Sequence, residues 1–205
     1  MKKQHLKIIA RFFIAAGMGV FFYSCIGGKS PAASFYTLTA AQKLPQQESR
    51  LSEKISIGVG PVTIPPEMDR PQILMRSPEN QIKLSEFERW AAPLQENIAS
   101  ILSANLSILL HTERVIPGIH QNLFPITHHV VLNINRFDGY LSGEVVLDAT
   151  WSILKSGQSE PLVVKRSVIS EAVQQDTYAD LVAAHSTALA KLSREIAASF
   201  SNMQM

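Results

Sequence analysis

Apolar positions recur with two different periods along the chain, and the periods change in a fixed order. Ile55, Ile57 and Val59 alternate, which predicts a strand, and Pro61, Pro65 and Pro66 place its end at an edge or in a loop. Residues 73–76 and 81–84 flank Ser77-Pro78-Glu79-Asn80, turn chemistry that predicts a hairpin. The period then lengthens. Leu94, Ile98, Ile101, Leu102, Leu106 and Leu109 recur at three and four, leaving Gln95, Glu96, Asn97, Ser100 and Ser103 outside, so a helix is expected with Pro93 in its first turn. After a loop bearing Pro117 and Pro125, three alternating runs return: Val130, Leu132, Ile134; then Val145, Leu147, Ala149, Trp151, Ile153; then Leu162, Val164, Val168, broken by Arg166. Turns at Asp138-Gly139 and Ser156-Gly157 make these runs antiparallel neighbours. Leu181, Val182, His185, Leu189, Leu192, Ile196 and Phe200 stripe a last helix, which Thr177 and Asp180 suit as a capping pair. Strands, helix, strands, helix predict an α+β fold: a two-layer sandwich, mostly antiparallel sheet with two long helices packed on one face.

The first 24 residues differ from all of this. Lys2, Lys3, Lys7 and Arg11 precede an apolar run of about eleven residues ending at Phe22, the length of a secretory signal core and about half of a bilayer span. A removed leader is the reading; a retained anchor helix is the alternative. Phe22-Tyr23-Ser24-Cys25 closes the run and resembles a lipobox, with small Ser24 before the cysteine but Phe22 and Tyr23 in place of the usual Leu-Ala/Ser pair. A thiol is the nucleophile this position offers for acylation, and two or three acyl chains hold a protein stably where one does not. The expected modification is diacylglycerol and an N-acyl lipid on Cys25, with no other cofactor. Ile26, rather than Asp, follows Cys25 and favours the outer membrane under enteric-type sorting.

Three parts follow: a signal peptide over 1–24, an acylated cysteine and flexible tether over 25–54, and a folded domain over 55–205. Gly27-Gly28-Lys29-Ser30-Pro31 and Gln42-Lys43-Leu44-Pro45-Gln46-Gln47 read as tether. Ser34-Phe35-Tyr36-Thr37-Leu38 interrupts it with the pattern of a short strand, and two successive aromatics are unusual in a tether, so this piece is expected to dock somewhere.

Charge alters one conclusion. The net charge of +2 belongs to the leader, and the remainder carries fifteen basic against seventeen acidic residues. No nucleic-acid partner is implied. A single cysteine excludes an internal disulfide and a multi-cysteine metal site. No nucleophile elbow, P-loop, dinucleotide fingerprint or zincin helix is present. His128 and His129 are adjacent on a strand and face opposite ways, and His185 lies on an apolar helical stripe as a core histidine. Asp138, Glu144 and Asp148 form the one conceivable acid/base set, of which Glu144 and Asp148 read as a solvated strand face. The chain is expected not to be an enzyme.

Gly58-Val59-Gly60-Pro61-Val62-Thr63-Ile64-Pro65-Pro66-Glu67-Met68-Asp69-Arg70-Pro71-Gln72-Ile73, Glu88-Arg89-Trp90-Ala91-Ala92-Pro93-Leu94 and Tyr178-Ala179-Asp180-Leu181-Val182-Ala183-Ala184-His185-Ser186 remain. With the lipobox and residues 34–38, in this order, they resemble the PqiC-type lipoproteins, auxiliary components of ABC-type transport systems. The resemblance covers nearly the whole mature chain. It implies a non-catalytic, periplasm-facing partner of MCE (mammalian cell entry) transport machines, which move lipid between membranes. A homo-oligomeric ring is a separate expectation, because a closed ring matches a tube around its axis. Candidate partner contacts are Asp69, Arg70, Arg76 and Trp90; the competing role for Asp69, Arg70, Arg89 and Trp90 is to fix loop geometry, with Arg89 able to stack on Trp90. The rival functions are a free-standing lipid carrier and an assembly lipoprotein of another envelope machine.

Overall fold

The computed structural model describes residues 31–41, 51–77, 81–118 and 123–203. Its strands are β1 (Ser34–Tyr36), β2 (Ile57–Thr63), β3 (Gln72–Arg76), β4 (Ile82–Trp90), β5 (Val115–Pro117), β6 (His128–Gly139), β7 (Glu144–Lys155) and β8 (Pro161–Ala172), and its helices α1 (Leu94–Leu109) and α2 (Tyr178–Met203). A 3-10 turn at Pro66–Met68 links β2 to β3.

β6 is the spine of a single mixed sheet. β7 pairs with it along one side and β8 lies beyond β7, both antiparallel. The other side is shared: β2 and then β5 run parallel to its first half, while β3 meets its end at Met75–Gly139 and carries β4 and β1 outward. The long ladders are antiparallel, as the sequence leads one to expect. β2 stays paired with β6 to its last residue, Thr63, but its register shifts between Val59 and Val62, around Pro61, which has no N–H to give the ladder. Gly60 takes φ 134° there, a conformation glycine alone adopts freely. β5 has ended by then, with the Gly118 N–H donating to the Val59 carbonyl at 2.7 Å, so Pro61 does lie where β2 has a free edge.

Both helices bury their stripes against one face of the sheet. Ile98, Leu102 and Leu106 of α1 and Leu181, Leu189, Leu192 and Ile196 of α2 have no exposed surface, and neither do Val145, Leu147, Ala149 and Ile153 of β7. Thr177 accepts the Asp180 N–H at 3.1 Å and caps α2. Asn105 Nδ2 donates to Ser193 Oγ at 3.2 Å and ties the helices together inside the core.

Four expectations need correction. Asn97 and Ser103 are buried, not outside: Asn97 Nδ2 donates to Thr37, and Ser103 Oγ returns to its own helix at Ala99. Asp138-Gly139 is the end of β6 rather than a turn; a Cβ at Gly139 would stand 2.5 Å from the Glu144 carbonyl, and the chain reverses over Tyr140, Leu141, Ser142 and Gly143. In β8, Leu162, Val164 and Val168 point away from the core, and Ser167 and Ile169 point in. The folded unit also begins before residue 55, at Ala33. β1 pairs parallel with β4, Leu38 and Leu51 are core residues, and Thr39 and Ala41 bond Ser186 of α2 and Asn105 of α1, so residues 34–41 and Leu51 are part of the domain.

Candidate functional site

The segment leaving the 3-10 turn and the segment leaving β4 meet edge to edge. Pro65 and Pro66 restrict the turn, and the N–H groups of Asp69 and Arg70 fold back onto Pro66 and Met68 at 3.3 and 2.9 Å. The Trp90 N–H donates to the Pro71 carbonyl at 2.7 Å, and the Ala91 N–H to Tyr36 at 2.8 Å. These bonds frame a recess of about 360 Å³ lined by Asp69, Arg70, Pro71, Trp90, Pro93 and Leu94, among others.

Trp90 is fixed from behind. Its ring meets His185 edge-on at 5.8 Å, and His185 meets Phe137 in the same manner at 4.7 Å. His185 Nδ1 donates to the Leu181 carbonyl at 2.8 Å, and burial pushes the imidazole below its ordinary pKa, so it is a neutral core histidine. Asp69 and Arg70 are exposed and, among the described residues, form no ion pair. The structure thus brings together three of the four residues singled out in the sequence, and a rigid indole backs the two charges.

Arg76 is placed elsewhere. On β3 its Nε donates to Asp138 at 2.9 Å, Arg136 holds the other oxygen of that carboxylate at 2.7 Å, and Glu67 stands 4.0 Å from Arg76. Asp138 is fully buried, so these arginines satisfy a charge that is otherwise costly to bury. Sequence reasoning named Asp138 in a turn and in a conceivable acid/base set and missed its role as a buried ion-pair partner. Its signal was Arg136 two positions earlier on the same strand face; Arg76 arrives only through the tertiary fold. Arg89 does not stack on Trp90, because its Nε donates to the Glu86 carbonyl at 3.2 Å.

The remaining titratable residues do not converge. His128 packs against Phe200 at 6.0 Å, with its pKa lowered by burial and then by Lys155, while His129 sits 3.2 Å from Ser156 Oγ. Arg166 clamps Asp148 and holds its carboxyl below the ordinary value. Among the described residues no group of three or more His, Cys, Asp and Glu is placed to hold a metal. Cys25 lies outside the described residues.

Residues 36–197 match the family described as ABC-type transport auxiliary lipoprotein component. The intermembrane transport lipoprotein PqiC of Escherichia coli K12 is 25% identical over 153 residues, which is 73% of this chain and 76% of that protein; the Shigella flexneri PqiC matches equally. Two crystal structures share the fold at a TM-score of 0.67. One is of an uncharacterized protein, 21% identical over 82% of this chain and 99% of that one; the other is a Xanthomonas campestris protein, 14% identical over 80% and 93%. The matched region runs from the end of β1 to the last turns of α2 and includes the recess beside Trp90. This is a family of transport components and not a class of enzymes, and the chain belongs to it as a PqiC-type auxiliary lipoprotein.

Proposed function

We propose that this chain is a non-catalytic, lipid-anchored component of an MCE/ABC-type intermembrane lipid transport system, docking on or extending the periplasmic MCE tunnel. Acylated Cys25 holds it at the periplasmic face of the outer membrane, and identical subunits form a ring whose axis follows the tunnel. The observation that carries the docking role is the recess beside Trp90. It presents an exposed, unpaired Asp69–Arg70 on a loop braced through Trp90 and His185 to the core, the kind of aromatic and arginine anchor on which interfaces depend. Arg76 serves by holding Asp138 and so fixing the sheet beneath that loop.

The free-standing carrier is less well supported. The helical stripes fill the space against the sheet, and the recesses described are surface hollows of about 320–360 Å³, at the small end even for compact ligands. The test is co-purification of the full-length lipoprotein with the MCE protein encoded beside it, using wild type, Arg70→Ala and Trp90→Phe. Circular dichroism verifies folding. Weaker association of the folded variants is expected. Full association of both returns these residues to a structural role, and no association of wild type removes the docking reading.

A further inference from the structure

The recess holds hydrogen-bond donors that the fold leaves unused. Trp90 is only 6% exposed, yet among the described residues its indole N–H has no partner, whereas the indole of Trp151 donates to Ser167 at 2.9 Å. With no protein acceptor, and not sealed from solvent, this donor is available to a ligand. α1 begins at the same wall. Its N-cap is Pro93, with no side-chain cap, and the first-turn N–H groups of a helix have no acceptor within it. Glu96, the acid of that turn, borders a different recess beside Pro117. Arg70 adds an unpaired guanidinium.

Indole N–H, helix N-terminus and guanidinium all call for an acceptor, and a carboxylate suits the last two. Asp69 adds the opposite demand. It lines the same recess, so a ligand made only of acceptors would meet a like charge there. A peptide answers both: an acidic side chain for Arg70 and the helix end, a carbonyl for Trp90, and an N–H for Asp69. Pro71, Pro93 and Leu94 form apolar walls for a neighbouring side chain. A phosphate group by itself offers acceptors only; the ammonium of phosphatidylethanolamine would answer Asp69, so that lipid is the competing ligand in the test.

We infer that the recess takes an extended segment of a partner protein bearing an acidic residue next to an apolar one. This deepens the docking reading and rests on it for the partner's identity alone. The test uses full-length protein in detergent micelles with 15N-labelled tryptophan, so that only the Trp90 and Trp151 indoles report. The probes are acetyl-Pro-Leu-Glu-Leu-Pro-amide, its Glu→Gln analogue, and dihexanoyl phosphatidylethanolamine. The acidic peptide should move the Trp90 resonance and leave Trp151 in place. The Gln analogue and Arg70→Ala should each weaken the titration tenfold or more, as loss of a charge-assisted bond does, while Arg70→Lys should retain part of it. An unshifted Trp151 signal in each variant shows that the fold is kept. Equal response to both peptides overturns the acidic requirement, response to the lipid alone overturns the peptide, and no response to any probe overturns the site. Co-purification with the MCE protein can succeed in all three cases, which separates failure here from failure of the docking reading.

Discussion

β7 and β8 are neighbours of equal length, and both carry alternating apolar residues, yet they use them in opposite ways. In β7 the alternating set Val145, Leu147, Ala149, Trp151 and Ile153 is the centre of the core, with exposures of 0–1%. In β8 the alternating set Leu162, Val164 and Val168 faces away from the helices, at 45–63% exposed. The register explains the inversion. Ala149 pairs with Ser167 and Trp151 with Lys165, so the inward row of β8 is Val163, Lys165, Ser167 and Ile169. That row is tied to its surroundings by polar contacts: Trp151 Nε1 donates to Ser167, Ser167 donates to Glu195 of α2, Lys165 Nζ donates to Ser199 at 3.0 Å, and Glu171 pairs with Lys191. At the middle of a sheet, burial of apolar surface selects the inward face. At its edge, where both faces bear apolar residues, the polar partners on the overlying helix select it.

The sharpest way to break this contrast is to shorten an inward β7 residue. Leu147→Ala should cost about 2–5 kcal/mol, as buried leucines do, and urea unfolding measures it. A loss below about 0.5 kcal/mol would mean that β7 does not face the core. Leu102→Ala and Leu189→Ala carry the same expectation for α1 and α2.

Carboxylates on the same ladders should divide in the same way. Asp138→Asn leaves two arginines without their buried partner and should cost about 1–3 kcal/mol in the same assay. Asp148→Asn opens the pair with Arg166, whose guanidinium side is mostly exposed, and should cost less, about 0–1 kcal/mol. An equal loss from both would overturn the distinction.

Protonation probes the core from α2. His185 and His128 both have folded-state pKa values below the ordinary 6.5, the first from burial and the second from burial and then Lys155. The unfolded chain therefore binds more protons than the folded one as pH falls through 6.5 toward those values. Stability is full above pH 6.5 and declines below it. The melting temperature should fall on acidification from pH 7.5 to 5.5, and His185→Gln should flatten that slope while lowering the plateau. A slope unchanged in that variant would assign the effect to other groups.

The smallest effect belongs to the outward row of β8. Val164→Thr and Val168→Thr should alter stability by less than about 0.5 kcal/mol, because both side chains stay mostly in water on folding. A loss near that of Leu147→Ala would reverse the orientation of β8.

Much of this protein is written in local pattern. The stripe of α2 is legible because seven residues at helical spacing need one apolar neighbour, and the Thr177–Asp180 cap is a contact three residues apart. Residues 34–38 announce their docking through their aromatics, and the order of the matched stretches carries the family. Alternation likewise identifies β7 and β8 as strands, but it is symmetric between the two faces, so it does not orient an edge strand. That choice needed Ser167 and Lys165 to meet α2, about thirty positions away in the chain. Distance along the chain limits the site in the same way. Asp69, Arg70 and Trp90 can be picked out in sequence, but only the bond from Trp90 to the Pro71 carbonyl places them around one recess. Arg76 looked like their companion from its position, and its partner Asp138 is 62 residues away. Short-range order depends on spacing that the sequence states directly, whereas the pairing of charges depends on which strands become neighbours, and the whole sheet has to form before that is decided.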